Sequence, residues 1–341
     1  MKPTRRDLLV LGGGMAAGAA VSTWLSPERR TRRGAAGAAV VSSGDEEYVW
    51  VSANANLALF TGRDHPALYK IGKELGVQVS IAGPNTVDIP GLVAAIEQTA
   101  ARRPAGMMVV GWDSHALIPA INKAMESGVP VVCVDADVPE SKRLSFIGTD
   151  WTELGVRQGE AMVKQLQGRR GEVGLLGMVE QSIDQQAVEG FRSVALKAGL
   201  TVLEPQQDHG NQAEATRVAS ALLQARPNLV GLAGFDSESG PGMGLAVREA
   251  GRAGKLVLTC VETTDQHLRL LKEGVLTACI GQKRELFTYY GVKALYEYVH
   301  ASLQTTADDR RAGVSPIPVN YSTGTYTVTR DNVDFFLKGK G

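Results

Sequence analysis

Two tetrapeptides, Gly111-Trp112-Asp113-Ser114 and Gly234-Phe235-Asp236-Ser237, each set an aromatic ring beside a carboxylate and a hydroxyl. Further along, an acid closes an apolar run in each case, Asp135 in VVCVD and Glu262 in VLTCVE. A flat ring packs on the apolar C–H face of a sugar, and a carboxylate accepts paired hydrogen bonds from neighbouring hydroxyls. Charged acceptors make the stronger bonds. The combination describes a site for a monosaccharide or small polyol, and four carboxylates argue against a phosphorylated one by like-charge repulsion. The same residue types also suit an ammonium group, so a small amine stays open beside the polyol. Structural roles compete for some of these residues. Trp112 and Phe235 can serve as core edges, and Asp113 and Asp236 precede helical patterns, where an N-cap is expected. Asp135 and Glu262 have no helix start beside them and are the stronger candidates.

The tetrapeptides belong to an internal repeat. RPAGMMVVGWDS (103–114) aligns without a gap on RPNLVGLAGFDS (226–237), and each copy continues through a helical pattern into a strand ending in an acid. Strand candidates read YVWVSA (48–53), VQVSIA (77–82), MMVV (107–110), VVCVD (131–135), LSFIG (144–148), EVGLLGM (172–178), LTVLE (200–204), LVGLAG (229–234), KLVLTCV (255–261) and LTACIG (276–281). Helical patterns alternate with them, for example at 89–103 and 286–303. This is an α/β chain with too many strands for one ordinary sheet, so two similar doubly wound parallel-sheet lobes are expected. Ligands of such sheets bind beyond the carboxyl ends of the strands. With the lobes facing each other, Trp112, Asp113 and Asp135 meet Phe235, Asp236 and Glu262 across one cleft.

The N-terminal stretch TRRDLLVLGGGMAAGAAV (4–21) carries Gly12, Gly14 and Ala17 at dinucleotide-binding spacing, but no second strand and ribose-binding acid follow. Thr4-Arg5-Arg6 before a mildly apolar Gly/Ala-rich core instead reads as a twin-arginine export signal, with residues 1–45 as signal and linker. The expected location is outside the cytoplasm, periplasmic or at the cell surface, with an uncleaved signal as a further way of anchoring. Lys and Arg together number 36, as do Asp and Glu, and the N-terminal segment holds a disproportionate share of the arginines. The remainder is therefore mildly acidic, which removes the electrostatic basis for binding nucleic acid. No later apolar run reaches the roughly 18 residues of a membrane helix. Cys133, Cys260 and Cys279 sit in apolar strand-like runs, read as buried thiols; Cys260 and Cys279 can pair only if their strands are adjacent. No His/Cys cluster has metal-ligand spacing, so neither metal nor cofactor is expected.

In order along residues 46–335, the landmarks SANANLALF (52–60), SGVPVVCVDAD (127–137), IGTDW (147–151), VEGF (188–191), GFDS (234–237), ACIGQ (278–282) and STGTYTVTRDNV (322–333) resemble the exported sugar-binding proteins of ABC transporters. The class is the ribose/galactose type, with the type I periplasmic-binding-protein fold. The resemblance implies a non-enzymatic protein with two lobes, residues 46–149 with 283–315 and residues 150–282 with 316–341. Its hinges would lie near 149–150, 282 and 313–318. It also implies delivery of the bound sugar to a membrane permease, and a monomer is expected. Phe60 would stack on the sugar, Asp135 accept hydroxyls in the first lobe, and Gln282 touch the ligand at a hinge, with Asp236 and Glu262 on or beside second-lobe contacts. Asn56, Asp137 and Trp151 complete the candidate set, Asn56 against a turn role and Trp151 against hinge packing. Ala136 and Ala187 stand where ribose-binding members carry arginines, which puts ribose in doubt. Asp137, Asp184, Gln185 and Gln186 can make up the polarity, although solvated-loop or helix-capping roles suit each. A repressor core would begin with a DNA-reading helix-turn-helix, and a glycosidase would use two cleft carboxylates as acid and base. Signalling to a membrane receptor or kinase is the alternative use of the binding fold.

Overall fold

The computed structural model describes residues 44–301 and 304–337. The export segment read at 1–45 therefore lies outside the described residues except for Gly44 and Asp45. In chain order the elements are β1 (Glu47–Val51), a wide π-type turn (Phe60–Asp64) running into α1 (His65–Leu75), β2 (Gln78–Ala82), α2 (Ile89–Arg102), β3 (Gly106–Val110), α3 (Ser114–Glu126), β4 (Val131–Asp135), β5 (Ser145–Gly148), α4 (Trp151–Leu166), β6 (Glu172–Gly177), α5 (Ser182–Ala195), β7 (Thr201–Val202), β8 (Gln206–Gln207) and α6 (Gln212–Ala225). There follow β9 (Leu229–Gly234), α7 (Ser239–Glu249), β10 (Val257–Val261), α8 (Asp265–Lys272), β11 (Ala278–Gln282), α9 (Glu285–His300), α10 (Asp309–Ala312), β12 (Asn320–Ser322), β13 (Thr325–Thr329) and α11 (Val333–Leu337).

The strands form two sheets, ordered β12-β5-β4-β3-β1-β2 and β13-β11-β10-β9-β6-β7, with β8 also paired to β6. All pairings are parallel except β11 with β13. The central strands β3, β4 and β10 are buried along their whole length, which is why they read as unbroken apolar runs. Helices cover both faces and return the chain so that β3, β4, β9 and β10 all end at the side where the two sheets face each other. The repeat is thus realised as two lobes of one plan.

The chain crosses between sheets after β5, after β11 and again between β12 and β13. The first two crossings fall at Thr149-Asp150 and just after Gln282, where two hinges are expected from the sequence. The third falls elsewhere: β12 pairs with β5 in the first sheet, so the segment 316–322 belongs with the first lobe and the crossing falls at Thr323-Gly324. Asn320-Tyr321-Ser322 is a short polar edge strand with no apolar run to mark it.

Local chemistry sets several boundaries. Asp88, Asp113 and Asp150 each cap a helix by accepting the N–H of the residue three further on, at α2, α3 and α4. Helices α4 and α5 touch backbone to backbone through two glycines. A Cβ on Gly155 would lie 1.8 Å from the Ala187 carbonyl oxygen, and one on Gly190 would lie 2.1 Å from that of Thr152. Cys260 and Cys279 are register partners on adjacent strands, two free buried thiols with sulfurs 3.3 Å apart. Among the described residues no helix is long and apolar enough to cross a membrane.

Candidate functional site

The facing strand ends enclose a cavity of about 100 Å³ lined from both lobes. Asp135 ends β4 and Glu262 follows β10, so the two acids occupy equivalent places in the two halves of the repeat. Both have left-handed backbone, φ 68° at Asp135 and φ 76° at Glu262. Residues with a Cβ adopt this conformation at a cost, and it recurs where function requires a side chain to be aimed. Here it turns each strand-end carboxylate into the cleft.

Arg284, two residues beyond Gln282 at the second crossing, gathers the first-lobe acids. Its Nε and Nη2 donate to the two oxygens of Asp64 at 3.0 and 3.2 Å, and Nη1 donates to Asp135 Oδ1 at 2.7 Å. The same Nη1 lies 3.8 Å from Glu262 Oε1, linking the second lobe. The guanidinium sits 5.1 Å from the ring centres of both Phe60 and Phe287. Burial works against its charge, but Asp135, Asp64 and Glu262 more than offset this and hold it protonated. Burial drives the Asp64 carboxyl up to about 7 despite the arginine beside it, and burial likewise raises Glu262 against the pull of Arg284 and Gln282. Asp135 is further fixed by two indoles: Trp112 Nε1 donates to its Oδ2 at 3.1 Å, and Trp151 Nε1 donates to its main-chain oxygen at 3.2 Å. Gln282 Nε2 donates to Glu262 Oε1 at 2.5 Å.

The second-lobe wall is different in kind. Asp236 Oδ1 accepts the N–H groups of Glu238 and Ser239 at 2.7 and 2.8 Å, at the start of α7. Asp208 accepts Ser239 Oγ at 2.7 Å and Gly210 N at 3.0 Å. Asp184 Oδ2 accepts Met178 N at 2.7 Å. Burial and the Asp236 carboxylate push Asp208 up to about 8, and burial with the same neighbour raises Asp184 well above the usual carboxylate range.

Of the residues singled out in the sequence, Trp112, Asp135, Trp151, Phe235, Asp236, Glu262 and Gln282 line the cavity. Phe60 lines it too, but is fully buried, with one neighbour the Arg284 guanidinium and others Trp50 and Trp112. Three expected contacts are placed elsewhere. Asn56 is exposed and donates to Asn85 at 2.9 Å, while its neighbour Asn54 lines the cavity. Asp113 is committed to its cap, accepting Ala116 N at 3.0 Å, so the same tetrapeptide motif puts Asp236 on the cavity and Asp113 off it. Asp137 is paired with Arg143 through both its oxygens and lines an adjoining groove instead. Asp184, read as a solvated or capping residue, is in fact 2 % exposed and lines the cavity. Sequence reasoning missed Arg284, Asp64 and Asp208. Only Arg284 had a signal, its place just past the hinge glutamine, since its partners lie far off in the chain.

Two α/β lobes of one plan, three chain crossings and a cleft at the carboxyl ends of both sheets define the type I periplasmic-binding-protein fold. The chain belongs to the periplasmic binding protein family: residues 49–302 match the model of the periplasmic binding protein domain. It is 26% identical over 243 residues to the D-ribose/D-allose-binding protein of Pseudomonas aeruginosa, covering 69% of this chain and 75% of that one. Among solved structures it resembles a sugar-binding protein of a sugar ABC transporter from Bacillus halodurans, with TM-score 0.79 and 28% identity over 85% of this chain and 100% of that one. An arabinose-binding protein from Geobacillus stearothermophilus is similar at TM-score 0.75 and 30% identity, covering 86% and 99% of the two chains.

Proposed function

We propose that this protein captures a monosaccharide or small polyol between its lobes outside the cytoplasm and delivers it, chemically unchanged, to the permease of an ABC transporter. The observation that carries this is one cavity to which both lobes contribute equivalent strand-end acids, Asp135 and Glu262, with Trp112, Trp151 and Phe235 beside them. Rings supply faces for C–H groups, and carboxylates, Gln282 and Asn54 supply partners for hydroxyls. A ligand touching both lobes favours the closed arrangement over an open one by its differential contacts, with the crossings at 149–150, 283–284 and 323–324 as hinges. Asp135 already accepts hydrogen bonds from Arg284 and Trp112, which suits a fixed acceptor better than a proton donor in hydrolysis. The family supports this reading, since the relative and structural neighbours are named as ribose/allose- and arabinose-binding proteins and as the sugar-binding protein of a sugar ABC transporter. The twin-arginine reading of the N-terminus agrees with an extracytoplasmic place of work, and the protein acts as a monomer.

Thermal unfolding of the full chain against a panel of pentoses, hexoses and polyols tests the proposal. A ligand at about 100 times its dissociation constant adds roughly 2.7 kcal/mol of stability. Stabilisation by a member of the panel that is recovered intact is the expected result. Stabilisation by none, or turnover of the added sugar, overturns it.

A further inference from the structure

Asp184, Asp208 and Asp236 press together on the second-lobe wall, each nine-tenths or more buried. Their neighbours donate to some of their oxygens, but Asp184 Oδ1 is buried with no partner at all. The contrast with the first lobe is one of charge. There Arg284 answers Asp64 and Asp135 directly; among the described residues no cation acts on Asp184 or Asp208, whose surroundings are each other, Asp236, and backbone or hydroxyl donors. Ala187, one helical turn beyond Asp184 on α5, is buried and uncharged, as is Ala136 beside Asp135. Other titratable groups along this wall are His209 at the exposed rim, Glu238 behind Asp236, Glu262, and the buried His267, whose charge bears on Glu238 and Glu262 and not on Asp184 or Asp208.

From this geometry we infer that the ligand carries a protonated amine besides its hydroxyls, an amino sugar or amino-polyol, with the ammonium seated against Asp184. The inference rests on the reading of the cleft as a site for a sugar-sized polyol. Hydroxyls satisfy lone pairs alone, whereas an ammonium supplies three donors and the positive charge that lets a buried Asp184 ionise. Trp151 and Phe235, both cavity-lining, add ring faces of the kind that attract cations. A metal ion is the poorer occupant, because no group of three His, Cys, Asp or Glu among the described residues is arranged to hold one. Burial and the neighbouring acids raise Asp184 and Asp208, so an ammonium that draws Asp184 into its ionised form releases a proton on binding.

Calorimetric titration of the full chain at pH 7 with matched pairs provides the test: D-glucosamine with D-glucose, D-galactosamine with D-galactose, and 1-amino-1-deoxysorbitol with sorbitol. Running each in two buffers of different ionisation enthalpy counts the protons released. The expected result is that an amine binds at least about tenfold more tightly than its neutral partner, a difference of about 1.4 kcal/mol. Binding of that amine should release protons, and N-acetylation should erase the preference. Asp184→Asn, which keeps an acceptor for Met178 N–H, should bring the pair to near-equal affinity, and Asp236→Asn should reduce the gap. A neutral sugar that binds as tightly as its amine overturns this inference while leaving sugar capture intact, as does a preference that survives in both variants. Silence from every member of every pair overturns this inference, and the capture reading falls with it only when the pentoses, hexoses and polyols of the thermal-unfolding panel are silent too.

Discussion

Replacing Arg284 with Met keeps an apolar stem between Phe60 and Phe287 but deletes the charge shared by Asp64, Asp135 and Glu262. All four groups are almost wholly buried, so the acids cannot turn to water instead. Removing one partner of a buried ion pair typically costs about 3–5 kcal/mol, because the other charge stays behind uncompensated. For a chain of this size that is a fall in Tm of roughly 6–10 °C. The loss should depend on pH in a defined direction. At pH 8 the acids must either stay ionised without a partner or take up protons against the solvent, and the full cost is paid. At pH 5 Asp64, already raised to about 7 with the arginine present, is neutral in parent and variant alike, so the loss shrinks. Circular-dichroism melts of the full chain at both pH values measure it, with Arg284→Lys as the variant that keeps charge but not the two-oxygen geometry at Asp64. A loss below about 1 kcal/mol at pH 8, or one equal at both pH values, would refute the assignment of Arg284 as the buried counter-charge.

The ligand-free parent should itself become less stable as pH rises. Asp64 and Asp208, at about 7 and about 8 in the folded state, hold protons there that the unfolded chain has already lost above about 4. Their contribution is fully present below that point and is lost as pH climbs through 7 and 8, on the order of 4 kcal/mol for Asp64 alone. Cys260, brought down to about 6, contributes in the opposite direction, so the test is a comparison in which it cancels: an Asp208→Asn variant whose melting temperature changes between pH 5.5 and 8.5 just as the parent's does would contradict this. Gly155→Ala should lower stability by about 1–3 kcal/mol or more, since its Cβ meets a main-chain oxygen on α5 rather than a yielding side chain; an unchanged denaturation midpoint would show that the helices can separate freely. Cys133, Cys260 and Cys279 are all inaccessible, so thiol reagents should label the protein only after unfolding. This holds even for Cys260, which burial opposes but the Cys279 and His267 contacts bring down to about 6. Rapid labelling of the native chain would contradict it.

The sheet cores were legible in sequence because strands buried on both faces, such as β3, β4, β10 and β11, read as apolar runs, and ten of the thirteen strands among the described residues were visible. Those missed, Gln206–Gln207, Asn320–Ser322 and Thr325–Thr329, are short or polar edge strands whose pairing is decided by neighbours far away in the chain. That is also why the third crossing was expected several residues too early. The site was half legible. The repeat pointed to Asp135 and Glu262 because two lobes of one plan put equivalent strand ends in one cleft. It could not separate Asp113 from Asp236, since both accept main-chain N–H groups at a helix start and only Asp236 lines the cavity. The charge balance was hidden altogether: Arg284 meets Asp64 and Asp135 across 220 and 149 positions of sequence. Asp184, in a polar stretch beside Gln185 and Gln186, gave no sign that α5 would bury it.

Trp112 and Trp151 both line the cavity and both donate to Asp135, so a ligand entering the cleft must alter their surroundings. The most direct measurement is therefore a tryptophan-fluorescence titration of the full chain with the sugars, polyols and amino sugars named above, followed by recovery of the ligand. Capture in this cleft requires a saturable change with one ligand bound per chain, weakened by Glu262→Gln and Asp135→Asn, and an unaltered ligand at the end. An emission spectrum unmoved by every compound, or a ligand returned as a reaction product, would contradict it.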